Sequence, residues 1–220
     1  MDSNRKTAII VGVLFIVATV TSLLGGLLIE FIIDAPDDLV NVSENENQVI
    51  IGVLLELTIA ASVVGITVVM FPFFKKHNES LALGYVGARI FEGVIVTVGA
   101  ISALLLITLS QEFVNAVAPD ATYFQALGTL LLAARDWAFL LVPIVFGLGA
   151  LVFYYLLYQS KLIPRWLSVW GLIGATLVLA AGLLGMFGDF LIFLALPIAV
   201  QEMVLAVWLI VKGFNSSAIA

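Results

Sequence analysis

The chain has 220 residues, of which 63% are hydrophobic and only 11% charged, and its mean hydropathy is +1.21. A soluble globule covers its surface with about 25% charged residues, so a soluble fold is excluded. The net charge of −6 and pI near 4.6 exclude a nucleic-acid surface. The absence of cysteine removes disulfides, thiolate nucleophiles and Cys-ligated metals.

The apolar residues fall in runs longer than about 18, which read as membrane-spanning helices. At about 20 residues per crossing, the sequence predicts one all-α domain over residues 1–220, an integral membrane bundle of six transmembrane helices. The first predicted helix is 7–33. Arg5 and Lys6 precede it as in a signal peptide, but an apolar stretch from Ala8 to Ile33 exceeds the roughly 7–15 residues of a signal core. It is read as a retained helix.

The segment DAPDDLVNVSENEN at 34–47 has five acids and no base. It is read as a solvated loop, because no calcium-loop spacing occurs in it. Asn41-Val42-Ser43 forms a glycosylation triplet. The second helix, 48–74, ends before KKHNES. His77, the single histidine, sits there beside Lys75 and Lys76. Neighbouring cations disfavour a metal, so no metal site and no cofactor are expected.

The third helix is 81–110. The fourth stretch, 123–158, would be ~54 Å long, well beyond the ~30 Å hydrocarbon core. Its membrane portion is placed at 136–158, with Pro143 as a kink. QSKLIPRW is a short turn, followed by a fifth helix at 166–187. Gly188-Asp189 makes a tight turn, and the sixth helix is 190–212.

With six crossings, Arg5, Lys6, Lys75, Lys76, Lys161, Arg165 and Lys212 all fall at one side. The opposite loops carry most of the acids. The positive-inside rule therefore predicts cytoplasmic termini in a plasma (inner) membrane. Tyr154, Tyr155, Tyr158, Trp166, Trp170 and Trp208 lie near the same side and read as an interfacial aromatic belt. GYVGA at 84–88 and GLIGA at 171–175 form a faint internal echo, compatible with duplicated hairpins or with the ordinary use of small residues at helix contacts.

An ionisable side chain in a bilayer costs about 2.5–3.5 kcal/mol on insertion scales and usually faces a partner or a cavity. Counting the helix rise from the basic side puts Arg89 and Glu202 at ~12 Å depth and Glu92 at ~16 Å. These, with Tyr85 and Gln201, form an expected central ligand-binding group. The same count puts Glu56 at ~27 Å and Arg135 and Asp136 at ~33 Å. They form an expected outer cluster with Asp189. Arg89 and Glu92, three apart, share a helix face. Arg89 is expected to bridge Glu92 and Glu202, and Gly84, Gly87 and Gly93 to allow close helix approach around it. Four acids face two arginines in the two groups. A carboxylate left over in a dry site either exchanges a proton or stays neutral and hydrogen-bonded, which applies to Glu202 or Glu56.

The stretches ENENQVIIGVLLEL, LALGYVGARIFEG, LLLAARDWAF, FGLGALVFYYLLYQSKLIPRWLSVWGLIGA and QEMVLAVWLIVKGF resemble a family of prokaryotic multi-pass membrane proteins catalogued as domain of unknown function 4386. The resemblance implies a helical bundle in a bacterial-type plasma membrane. It brings no activity, cofactor or catalytic residue with it.

Three functions remain open. One is binding or transport of a small-molecule or lipid-like ligand at the central pocket, with Arg89 as anion anchor and Glu202 as proton-exchanging group; six crossings are few for a transporter unless the chain forms a homo-oligomer. A second is a non-catalytic membrane partner or regulatory subunit. The third is a metal-independent intramembrane enzyme using Glu92 and Glu202 as paired carboxylates. An enzyme is the less favoured reading, since catalytic residues are not identifiable. The bilayer is the one partner the composition demands.

Overall fold

A computed structural model describes residues 3–33, 38–116, 121–188, 191–215 and 218. Seven α-helices follow in chain order: α1 (Ser3–Ile33), α2 (Asp38–Glu44), α3 (Glu46–Lys75), α4 (Glu79–Asn115), α5 (Ala121–Ser160), α6 (Arg165–Gly185) and α7 (Leu196–Val211). A 3-10 turn, Ile192–Ala195, leads into α7. No strand occurs among the described residues. Six helices, all but α2, are long and apolar enough to cross a membrane. Their outward faces carry large apolar side chains such as Leu23, Leu27, Phe31 and Ile173. A helix apolar all round belongs in lipid, and the protein is a multi-pass membrane protein.

The crossings form a ring. Each packs against its chain neighbour in the order α1, α3, α4, α5, α6, α7, and α7 closes back on α1. Closure depends on small residues. Gly12 of α1 meets the Ala206 carbonyl of α7, and Gly174 of α6 meets the Ile198 backbone. Arg5 completes the closure by donating to the carbonyls of Leu209 (3.1 Å), Ile210 (2.5 Å) and Val211 (3.0 Å). These are orphan carbonyls at a helix C-terminus, where a cation is favoured. The chain then turns at Gly213, whose φ of +75° suits glycine. Asn215 donates to the Lys161 carbonyl at 2.6 Å, and the Phe73 and Phe214 rings meet at 5.1 Å. The N-terminus, the α3–α4 and α5–α6 turns and the C-terminal tail thus share one end of the bundle. All seven basic residues outside the charged clusters lie at this basic end.

Helices α1, α3, α4 and α5 extend beyond the predicted runs, whereas α6 stops at Gly185, short of 187, and α7 begins only at Leu196, after the 3-10 turn, instead of at 190. Polar ends continue a helix at little cost once the apolar face is packed, so α4 begins at Glu79 and ends at Asn115. The acidic segment 34–47 is not all loop. Leu39 and Val42 bury themselves beside Ile29 and Leu106, and that contact forms α2. Asn41 of the glycosylation triplet donates to the Ile32 carbonyl at 2.6 Å and accepts from Asn45 at 3.0 Å. Its amide is used in capping.

The two glycine stretches of the echo play different parts. Gly171 lies against the Tyr154 ring and Gly174 against Ile198, whereas a Cβ at Gly84 or Gly87 would meet nothing within 4 Å among the described residues. Close helix approach is therefore a property of the second stretch. Gly93 makes only ordinary contact, 3.5 Å from Val64. Tyr154 also leaves the expected belt. It is fully buried, while Tyr155 and Trp166 are exposed.

A Cβ at Gly174 would sit 2.9 Å from the Ile198 Cα and 3.0 Å from its N, backbone atoms that cannot step aside. Gly174→Ala is expected to cost about 1–3 kcal/mol as an overpacked contact. Gly84→Ala should be neutral. Thermal unfolding in mild detergent separates the two, and equal melting of both variants would contradict the α6–α7 packing.

Candidate functional site

Two buried charged groups stand one above the other in the bundle. The central one is built on α4. Arg89 and Glu92 are three residues apart, and the guanidinium donates to the Glu92 carboxylate at 2.7 Å. Both residues are nearly inaccessible, at 2% and 3%. Arg89 lies 5.5 Å from the Tyr85 ring centroid and 4.9 Å from that of Phe146. Such contacts are worth more when desolvated. The Tyr85 hydroxyl, beside Thr67 and Arg89, lacks a hydrogen bond of ordinary geometry.

Glu202 does not join this pair. Among the described residues its carboxylate makes no hydrogen bond and no ion pair within 4.0 Å, although it interacts electrostatically with Arg89. The expected double bridge is therefore replaced by a single one. The reason lies one residue earlier on α7. Gln201 is fully buried, accepts from the Tyr154 hydroxyl at 2.5 Å and donates to the Leu167 carbonyl at 3.1 Å. Those bonds fix the rotation of α7 against α5 and α6. The next residue is turned by about 100°, and Glu202 faces a cavity that it shares with Arg89 without forming an ion pair with it. Gln201 itself is occupied in the helix contact.

That cavity has a volume of about 300 Å³. All six crossings contribute to its wall, among them Ser22, Val63, Arg89, Phe146, Val178 and Glu202. Its lining is mostly apolar, with Glu92 beside Arg89. Towards the basic end it is floored by aromatic rings. Phe15 meets Phe153 at 5.8 Å, and Phe153 meets Phe74, Tyr85 and Tyr154 at 5.5, 5.2 and 5.1 Å. Leu23 and Ala199, on α1 and α7, line the cavity and are exposed, so it also opens sideways.

The outer group joins three helices. Arg135 of α5 holds Glu56 of α3 with two bonds, 2.5 Å to Oε1 and 3.2 Å to Oε2, and donates to the Gly99 carbonyl of α4 at 3.1 Å. Phe139 covers the guanidinium at 4.6 Å. A bidentate pair of this kind is both strong and directional. Asp136 is exposed next to it and lines a second pocket of about 270 Å³ with Glu56, Arg135 and Glu30. Asp189 lies outside the described residues. Glu30 was missed in the sequence, yet the depth count places it ~37 Å from Arg5, level with the outer group. No cluster of three or more metal-type ligands occurs among the described residues.

The sequence matches a family model described as Domain of unknown function (DUF4386) over residues 10–213. The chain belongs to this family. No curated protein and no solved structure matches it. The DUF4386 match covers every charged residue of both groups, so the two pairs and the two pockets lie within the family's domain.

Breaking a buried ion pair leaves an uncompensated charge and costs about 3–5 kcal/mol, while replacing both partners is far milder. Arg135→Met alone should destabilise the protein by that amount. The double variant Glu56→Leu/Arg135→Met should recover most of the loss in detergent unfolding. A single variant within about 1 kcal/mol of wild type, the most that an exposed ion pair contributes, would remove Arg135 from its place as the tie between α3, α4 and α5.

Proposed function

We propose that the protein binds a small or lipid-like molecule in the central cavity and carries it between the membrane and one of its faces. The observation that carries this reading is a void of about 300 Å³ walled by all six crossings, mostly apolar, with Arg89, Glu92 and Glu202 on its surface. Ligand sites combine an apolar wall with a few placed polar groups at volumes of roughly 300–1,000 Å³. Protein interiors are close-packed, with few voids larger than a water molecule. A void at the level of a charged wall therefore supports binding over a purely structural partner role. The enzymatic reading needs two carboxylates free to act on one substrate. Glu92 is engaged by Arg89 at 2.7 Å, which leaves Glu202 without a second acid.

Within this reading Glu202 is the group that meets the ligand. Tyr85 and Phe146 hold Arg89, and Arg89 with Glu92 supplies a fixed dipole on the opposite wall. Gln201 positions α7. The seven basic residues at the end that holds the termini favour that end facing the cytoplasm of a plasma membrane. The aromatic floor then separates the cavity from the cytoplasm, and the open side faces the bilayer and the outer pocket.

Ala199 lines the cavity and is exposed, so a larger side chain there fills space without entering a helix contact. Protein extracted in mild detergent is expected to carry a lipid or small-molecule adduct in native mass spectra. Ala199→Trp should lower adduct occupancy by about tenfold or more with unchanged melting temperature. Wild-type protein that is folded, carries no adduct and shows no thermal shift with a panel of lipids and small molecules would end the proposal.

A further inference from the structure

The two pockets adjoin. Ser22 of α1 and Ile59 of α3 line both the central cavity and the outer pocket. They bring the outer pocket, at the end of the bundle remote from the termini, up against the cavity that Glu202 lines. Towards the basic end the aromatic floor of Phe15, Phe153 and Phe74 fills the bundle.

Charge along this line is unbalanced in one direction. Arg135 is neutralised by Glu56 and Arg89 by Glu92. Glu30 and Asp136, both exposed, remain at the outer pocket, and Glu202 remains at the inner end. Among the described residues that line the two pockets, no cation is left over to balance these three carboxylates. Apolar walls focus such a field and raise the local concentration of the opposite charge. An anion would have to pass the same carboxylates to reach Arg89, whose charge Glu92 already neutralises at 2.7 Å, although the buried Nε of Arg89 has no hydrogen-bond partner among the described residues. The net charge along the line therefore favours a cation over the anion for which Arg89 was the expected anchor.

The inner cavity also discriminates among cations. A bare divalent ion needs several oxygen ligands to replace its water, and Glu202 offers one carboxylate among Phe15, Val63, Ile66 and Val142. An ammonium group with an apolar body suits one carboxylate and an aromatic and aliphatic wall.

We propose that Glu30 and Asp136 mark the mouth of a cation-selective path that passes Ser22 and ends at Glu202, and that the central cavity takes a monovalent organic cation with an apolar body. This rests on the reading of the central cavity as a binding site.

The sequence has no cysteine, so a single introduced thiol reports alone. Ser22→Cys probes the junction and Thr19→Cys the inner cavity. The probes are the membrane-impermeant trimethylammonioethyl and sulfonatoethyl methanethiosulfonates, added to sealed vesicles of each orientation, with each rate divided by that reagent's rate on a small free thiol. Both cysteines should react from the face opposite the termini. The cationic reagent should be favoured at least about tenfold. Glu30→Gln/Asp136→Asn should bring that ratio towards one, and tetrabutylammonium, but not octanoate, should protect Thr19→Cys in a manner lost in Glu202→Gln. Equal rates, anionic preference, or access only from the basic end or only to a membrane-permeant reagent would overturn the path. Cation-selective labelling without tetrabutylammonium protection would overturn the assignment of ligand class. A native-mass adduct that persists while labelling shows no charge preference would leave the binding reading standing and sink this one.

Discussion

An arginine enclosed by apolar helices has to be neutralised where it sits, and most of the arrangement follows from that requirement. Arg135 reaches across from α5 to Glu56 on α3 and to a backbone carbonyl of α4. Three crossings are locked in rotation and height by one side chain, because a bidentate pair tolerates little misalignment. Arg89 is neutralised differently, by Glu92 on its own helix. An internal pair of this kind makes no demand on a neighbouring helix, so the elements around it are free to leave a void. The two solutions divide the bundle into a tied level and an open one.

The open level needs another device to hold α7, and Gln201 provides it. A neutral amide with a phenol on one side and a carbonyl on the other satisfies its polar atoms without any charge. Its oxygen and nitrogen are both paired, and an unpaired group in lipid would cost on the order of several kcal/mol. Gly174 brings α6 close enough for the Leu167 carbonyl to be in reach. Arg5 fixes the far end of α7 from the N-terminus of α1. Three local contacts therefore determine which way residue 202 faces.

The sequence makes the six crossings legible, because length and hydropathy alone separate them. Depth is legible too. A rise of ~1.5 Å per residue sorts Arg89, Glu92 and Glu202 from Glu56 and Arg135, and the same count applied to α1 finds Glu30. The Arg89–Glu92 pair follows from spacing on one helix. Rotation is what the sequence conceals. Whether Glu202 meets Arg89 or a void depends on the Tyr154–Gln201 bond, between residues 47 apart in the chain. The choice of Glu56 as the partner of Arg135, 79 residues away, likewise emerges only when three helices are packed. Glycine stretches look alike in sequence, yet Gly84 and Gly171 face opposite surroundings. The helix α2 is hidden by its acids, since two apolar side chains in a polar segment gain their weight only from the groove that receives them.

Adjacent residues 201 and 202 pose the same question with opposite answers. Both are long, polar and placed at mid-membrane depth, and the bundle has used one of them to hold itself together. A second holding group at 202 adds nothing to the packing, since the wall it faces is open and its nearest cation is engaged elsewhere. An ionisable group at that depth costs about 2.5–3.5 kcal/mol even by the more lenient scales. Arg89 attracts Glu202 through space, but among the described residues no hydrogen bond or ion pair within 4.0 Å offsets that cost. A carboxyl in such a place is neutralised by a proton of its own or, in the reading proposed above, by the positive charge of an occupant of the space beside it.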